Sequence, residues 1–465
     1  MIDDLKPYPV YKDIGLPWLG KVPGHWEEER AKGLFAKVER PIRPEDEIVT
    51  CFRDGNVTLR KNRRLRGYTE AIYELGYQGI RKGDLVIHAM DAFAGATGVS
   101  DSDGKGSPIY GVCRPKSDAN PHYYAHVVRE MARSQWILAL SRGIRERSTD
   151  FRFESFGRQF VPCPPPDEQA AIVQFLDHAN GKIERAIRAK RKLIVLLNEQ
   201  KQAIIHRAVT RGLDPAVKLK PSGIPWLGEV PEHWIAVSLR QRYHQCLGKM
   251  VDSKKATGKY LIPYLRNFDV RWGYINKSAL PLIDIAPNER ERYTVKPGDL
   301  LICEGRHLGR SAIWDGGIEI CGFQKALHRL RPISFEADDP KFLQYVMIIA
   351  NATDAFHRNK IDNAIPHLTG EMLRAHRFAF PPIYEQKKIA SYLESYLRQH
   401  ETAISRTERE IKLLREYRTR LTADVVTGKV DVREAAKRLP DAAEELPPAD
   451  ELTDEVEDGI EPEGE

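Results

Sequence analysis

The chain has 465 residues, with 72 Lys or Arg against 66 Asp or Glu, 42% hydrophobic residues and six scattered cysteines. That length holds two to three ordinary domains, each large enough for its own core. No apolar run approaches the ~20 residues that span a bilayer, and Met1-Ile2-Asp3-Asp4-Leu5-Lys6 lacks the basic-then-apolar order of a secretion signal. Without a Cys-x-x-Cys pair the cysteines argue against a zinc site or a disulfide framework, and they fit a cytoplasmic location. Twelve acidic residues and no Lys or Arg lie between Pro440 and Glu465, so the net charge of +6 becomes +18 over residues 1–439. So basic a body favours a polyanionic partner, against the plainer reading of a solvated lysine-rich surface.

In chain order, residues 1–160 read as a mixed module. It opens on Gly15-Leu16-Pro17-Trp18-Leu19-Gly20-Lys21-Val22-Pro23-Gly24-His25-Trp26 and carries strand-like runs at Val86-Ile87-His88, Ile109-Tyr110-Gly111-Val112 and Phe151-Arg152-Phe153. Gly-rich turns such as Asp103-Gly104-Lys105-Gly106 break these runs. Residues 161–215 hold a first long helix, introduced by Pro162-Cys163-Pro164-Pro165-Pro166. Residues 216–380 form a second mixed module opening on Gly223-Ile224-Pro225-Trp226-Leu227-Gly228-Glu229-Val230-Pro231-Glu232-His233-Trp234, the first phrase displaced by 208 residues. Residues 381–432 hold a second long helix, and the acidic tail, 433–465, is too poor in large apolar residues to repay the entropy of ordering. A repeat this long is domain-sized rather than a solenoid unit.

Two further pairs support the duplication. Pro165-Pro166-Asp167-Glu168-Gln169 is echoed by Pro382-Ile383-Tyr384-Glu385-Gln386, and Lys82-Gly83-Asp84-Leu85-Val86-Ile87 by Pro297-Gly298-Asp299-Leu300-Leu301-Ile302. In the helices Ile172, Leu176, Ala179, Ile183, Ile187, Ile194, Leu197, Ile204 and Ala208, and Ile389, Leu393, Leu397, Ile404, Ile411, Leu414, Leu421 and Val425, recur at mostly three-, four- or seven-residue spacing. That is the seam of a coiled coil. The fold class expected is α+β: two similar mixed modules and two long helices paired as an antiparallel coiled coil, with pseudo-two-fold symmetry.

Catalytic signatures are missing. There is no Walker loop, no G-x-G-x-x-G after a strand and no H-E-x-x-H. Pro381-Pro382-Ile383-Tyr384 lacks the preceding Asp or Asn of an amino-methyltransferase. Glu199-Gln200-Lys201 and Glu385-Gln386-Lys387 resemble half of a metal-dependent nuclease centre, yet both lie in helices where Glu and Lys are commonplace. His25-Trp26 and His233-Trp234 have no second ligand cluster to make a metal site; a Trp18/Trp26 pair flanking Pro23, and its copy Trp226/Trp234 flanking Pro231, reads as a packed clamp at the entrance to each module.

Nucleic acid could meet Arg60, Lys61, Arg63, Arg64 and Arg66, the densest basic stretch of the first module, or Arg142 and Arg145 near its end. In the second module the candidates are Arg266, Asn267, Arg306, Arg310, Lys325, Arg358 and Lys360. Arg and Asn bond bidentately to guanine and adenine edges, while Lys mostly meets phosphate.

Together the I/L-P-W-L-G-x-V-P-x-H-W phrases, the G-D-L-[LV]-I turns, the P-P-x-x-E-Q helix starts and the two-fold repeat resemble the DNA-specificity subunit of type I restriction–modification systems, over about Tyr11 to Val432. The resemblance implies two target-recognition domains, each reading half of a split DNA sequence, and a helical spacer that binds two methyltransferase subunits. It implies no chemistry and no cofactor in this chain. S-adenosylmethionine, ATP and magnesium belong to the methyltransferase and the motor–nuclease partners. The competing readings are a self-sufficient metal-dependent nuclease and a coiled-coil scaffold that binds nucleic acid without sequence preference.

Overall fold

The computed structural model describes residues 5–63, 75–140, 150–251, 257–305, 308–353, 355–356 and 367–440. The chain divides into two compact units, Met1–Ala189 with Glu410–Glu465, and Lys190–Arg409. Among the described residues four helices exceed ten residues: α1 (Pro121–Arg133), α2 (Pro166–Arg211), α3 (Pro340–Ala352) and α4 (Ile383–Val426). No helix among them is long and apolar enough to cross a membrane.

The first unit is built on a four-stranded antiparallel sheet in the order Phe35–Lys37, Tyr110–Pro115, Leu85–His88, Thr97–Val99. The second repeats it with Tyr243–Leu247, Leu327–Pro332, Leu300–Cys303 and Ser311–Ile313. The central strands, Leu85–Val86–Ile87 and Leu300–Leu301–Ile302, are buried throughout, as their unbroken apolar runs require.

The Gly-Asp turns that feed these strands share one construction. Gly83 and Gly298 both sit at φ +90°, where a side chain would be strained. The buried Asp84 carboxylate accepts from the Arg81 amide and grips the Arg40 guanidinium. Asp299 does the same with the Lys296 amide and with Arg331, whose Nε and Nη2 each lie 2.7 Å from its oxygens. A charge this deep is tolerated because every oxygen has a cationic or amide donor.

Helices α1 and α3 also match. Asn120 and Asp339 are N-caps, each accepting from the amide two residues on, and proline follows each at the first helical position. The amide of each cap residue is itself bonded by a glutamine of a long helix. Gln169 accepts from Asn120 N at 2.9 Å and donates to Pro164 O. Gln386 accepts from Asp339 N at 2.9 Å and donates to Pro381 O. The preceding glutamates hold the His-Trp phrases. Glu168 accepts from Trp26 Nε1 (2.9 Å), His25 Nε2 (2.7 Å) and Tyr8 Oη (2.5 Å). Glu385 accepts from Trp234 Nε1 (3.2 Å) and His233 Nε2 (2.7 Å). Trp26 and Trp234 are fully buried, and their indoles meet Tyr123 of α1 and Phe342 of α3 edge-on. The repeated Glu-Gln pair thus fixes each long helix to the His-Trp phrase and to the 13-residue helix of its module.

Segments of α2 and α4 meet within each unit. In the first, Arg418 pairs with Glu184 at 2.9 Å, and Gly428, just past α4, lies so close to Pro23 and Trp26 that a Cβ would fall 2.4 Å from Pro23. In the second, Lys201 pairs with Glu401 at 3.0 Å and Gln200 donates to Tyr396 Oη. The seam residues Ile172, Leu176, Ile187, Ile389, Leu393 and Val425 are buried, whereas Ile194, Leu197, Ile404 and Leu414 are only half-buried.

Three local features differ from the sequence reading. Phe151-Arg152-Phe153 is not a strand: Arg152 O accepts from the Ser155 and Phe156 amides, which turns Phe153–Phe156 into a short helix. The strand that closes the module is Phe160–Cys163, paired with the charged Glu27–Arg30. Beyond α4, Arg433–Lys437 forms a short helix with Val432, Ala436 and Leu439 buried, so this stretch packs into the first unit. Residues 441–465 lie outside those described.

Candidate nucleic-acid interface

In the first unit the hairpin Val49–Cys51/Val57–Leu59 leads into a single 3-10 turn, Arg60–Asn62. The turn sets Lys61 at the open end of the hairpin, beside Glu47, and Arg63 against the loop that joins its strands. Arg60 Nε bonds Thr50 Oγ1, Lys61 pairs with Glu47 at 2.5 Å, and Arg63 pairs with Asp54 at 2.6 Å while its guanidinium lies 4.7 Å from the Phe52 ring centre. Burial tends to raise the Asp54 carboxyl, but the Asn56 amide and Arg63 together hold it below the usual range. Arg53, in the same hairpin loop, pairs with Asp91 at 3.1 Å. The stretch that reads as bare positive charge is therefore a laced network, in which phosphate must compete with Glu47 and Asp54. Arg64, Arg66, Arg142 and Arg145 lie outside the described residues.

In the second unit Leu265 pairs in parallel with Phe323, and Gln324 N bonds Leu265 O, which sets Arg266 and Asn267 beside Lys325. Arg266 is held by the wholly buried Asp269 through its backbone amide, Nε (2.9 Å) and Nη2 (3.0 Å). This bonding raises the Arg266 guanidinium above its ordinary value. Its Cζ lies 3.9 Å from the Phe268 ring centre, close enough for a cation–π contact. Lys325 is exposed, with Nζ 3.6 Å from Met250 Sδ. Arg310 differs: it is buried and donates from Nη2 to Asn267 O, so it braces the loop from behind. Asn267 Oδ1 and Arg310 Nε are buried without a hydrogen-bond partner among the described residues. Arg306, Arg358 and Lys360 lie outside the described residues.

Sequence reading missed Arg53 and the stretch Arg271-Trp272-Gly273-Tyr274, which extends the Arg266 loop as a hairpin. The signal available was a glycine between two aromatics, flanked by arginine. Among the described residues no group of three or more His, Cys, Asp or Glu is placed to hold a metal ion. Lys201 of the first nuclease-like pair bonds Glu401, and Glu385 of the second binds His233 and Trp234, so one member of each pair has a structural partner.

Comparison with known proteins bears on this face directly. Residues 247–413 match the type I restriction modification DNA specificity domain. The chain is similar to type I specificity subunits. It is 22% identical over 353 residues to the specificity subunit of the type I restriction enzyme EcoKI of Escherichia coli K12, covering 69% of this chain and 71% of that one. It is 23% identical over 288 residues to the MjaVIII specificity subunit of Methanocaldococcus jannaschii, covering 59% and 62%. In fold it resembles a chain solved in work on complex assembly and conformational transition of the type I R-M system (TM-score 0.68, 17% identity, 87% of this chain and 98% of that). It also resembles the HsdS subunit of Thermoanaerobacter tengcongensis (TM-score 0.54, 18% identity, 88% and 98%). The resemblance read from the repeated phrases is borne out. The matched specificity domain spans every candidate of the second unit, from Arg266 to Lys360, and most of α4.

Proposed function

We propose that this chain is the DNA-specificity subunit that directs type I methyltransferase and restriction subunits to an asymmetric bipartite target in the cytoplasm. The observation that carries the reading is the doubled Glu-Gln clamp. Two modules are attached to long helices by the same bonds, Glu168–Trp26 with Gln169–Asn120 and Glu385–Trp234 with Gln386–Asp339. The loops those modules present are different. Arg60–Arg63 is laced to acids around a hairpin, while Arg266–Phe268 stacks on itself over Asp269. One scaffold used twice with two loop chemistries reads two unlike half-sites.

In this reading residues 1–160 and 216–380 are the target-recognition domains, 161–215 and 381–432 are spacer helices paired as an antiparallel coiled coil, and 433–465 is the acidic tail. Half-sites centred about one turn apart, ~10 base pairs, suit modules that enter one face of the duplex. Arg60, Lys61, Arg63, Arg266, Asn267 and Lys325 face the DNA, together with Arg64, Arg66, Arg142, Arg145, Arg306, Arg358 and Lys360. Arg310 supports Asn267. The chain has no catalytic role: two methyltransferase subunits bring S-adenosylmethionine, and motor–nuclease subunits bring ATP and magnesium. The test is selection of duplexes from a randomised pool by the full chain with its methyltransferase. The reading expects one split, asymmetric motif. Uniform recovery of the pool at moderate salt would mean binding without sequence preference and would end it.

A further inference from the structure

Between Phe268 and Tyr274 the second unit exposes three aromatic side chains. Phe268 is 48% exposed, Trp272 40% and Tyr274 59%. Side chains of this size dominate buried surface elsewhere in the fold, and clustered exposure of them marks an interaction surface. The backbone beneath is held firmly. Val270 and Ile275 pair across the hairpin and point into the core, Arg271 pairs with Tyr274, and Gly273 takes φ +70° at the tip. Gly273 N bonds Ser311 O, and Asn276 N bonds Asp269 O, tying the hairpin to the strand Ser311–Ile313 and to its own base. The aromatics are thus displayed on a fixed support, so little ordering entropy remains to oppose binding.

We infer that the hairpin Val270–Ile275 is a DNA-reading finger of the second module, with Trp272 at its tip pressing against a base-pair step in a groove and Arg271 meeting the flanking phosphates. This rests on the specificity-subunit reading and adds the element that enters the duplex. Charge favours DNA over a protein surface. In the stretch Arg266 to Ile275 the sole acid, Asp269, is buried and bonded to Arg266, while Arg271 is exposed. The finger also continues from Arg266 and Asn267, beside exposed Lys325. A large apolar ring at the end of a short stiff hairpin is the shape that wedges between base steps and bends the duplex. Among the described residues the first unit does not repeat it: Phe52 in its hairpin loop is half-buried under Arg63. Base-step deformability should therefore weigh on one half of the target only.

The experiment uses the full chain with its methyltransferase and the duplex that the unaltered complex enriches from a randomised pool. With 2-aminopurine placed singly along that duplex, binding should raise fluorescence at one step of one half-site. Trp272→Ala should abolish that rise, weaken binding roughly tenfold, and relax sequence preference in that half-site while the other half is still read. Trp272→Phe, which keeps a ring, should restore most of the response, and this separates a wedge from a folding defect. Variants Trp272→Ala and Tyr274→Ala that bind and read the duplex as before, while losing the methyltransferase on purification, would overturn the inference and make the surface a protein dock. An unaltered complex that enriches nothing would overturn the specificity-subunit reading, and the finger with it.

Discussion

Trp26 and Glu168 are 142 residues apart in the chain, yet the indole Nε1 donates to the Glu168 carboxylate across 2.9 Å. Its counterpart, Trp234 to Glu385, spans 151 residues at 3.2 Å. Each bond closes a module on itself by joining its entrance strand to the start of the helix that follows. The first is the tighter of the two. The Glu168 side chain is 4% exposed and bonded also to Tyr8, while Glu385 is 16% exposed and has no third side-chain donor among the described residues.

Glu168→Ala should therefore destabilise the first unit by about 3 kcal/mol, since it strands a buried indole N–H and a tyrosine hydroxyl. Glu385→Ala should cost its unit about half as much. Denaturant unfolding, with hydrogen exchange in Lys21–Arg30 and Phe160–Cys163 as the local readout, checks the difference. Equal losses at the two sites would contradict it.

Acid should loosen both units through histidines that the fold keeps neutral. His328 is wholly buried, accepts from Gln245 at Nδ1 and donates from Nε2 to Leu368 O, and its burial holds its pKa below the ordinary 6.5. Burial, with Arg129 and His122 nearby, pushes His126 down to about 4. The unfolded chain binds protons at these rings that the folded chain refuses. Their contribution is thus complete above pH 6.5 and is lost as pH falls from there toward the folded values. His328→Gln should flatten that limb for the second unit in unfolding measured across pH.

Much of this was legible in the sequence, and the limits are physical. The repeated phrases, the Gly-Asp turns and both long helices could be read because each rests on local chemistry: a proline that starts a helix, a glycine that turns a strand, an apolar seam. The bonds between the phrases could not, since nothing in His-Trp or Glu-Gln says they meet. Phe151-Arg152-Phe153 has strand composition but turns helical, while Glu27–Arg30, charged at every position, is the strand. Pairing with Phe160–Cys163 overrode propensity there. Among the site residues, Arg310 reads in sequence as a candidate contact, and the fold buries it behind Asn267.

The lacing of the first basic stretch has a measurable consequence. If Lys61 meets phosphate, Lys61→Ala should weaken binding to all duplexes alike and flatten the dependence of log K on log salt by about 0.9. Glu47→Gln, which removes its competitor at 2.5 Å, should strengthen binding to all sequences. Loss of one half-site with an unchanged salt slope would instead make Lys61 a base reader.

The helices should set distance and the modules sequence. Removing seven residues from α2 and the facing seven from α4 shortens the pair by about 10 Å. That corresponds to roughly three base pairs of duplex. Selection from a randomised pool should then return the same two half-sites with a narrower gap. Altered bases with the gap unchanged would contradict the division of labour.

The most direct test is to express the chain with its adenine methyltransferase and map modified bases across the host genome by long-read sequencing. A specificity subunit predicts one split, asymmetric adenine-methylated motif that disappears when this chain is omitted. Methylation that persists without it, or divalent-metal-dependent cleavage of DNA by the purified chain alone, would contradict the account.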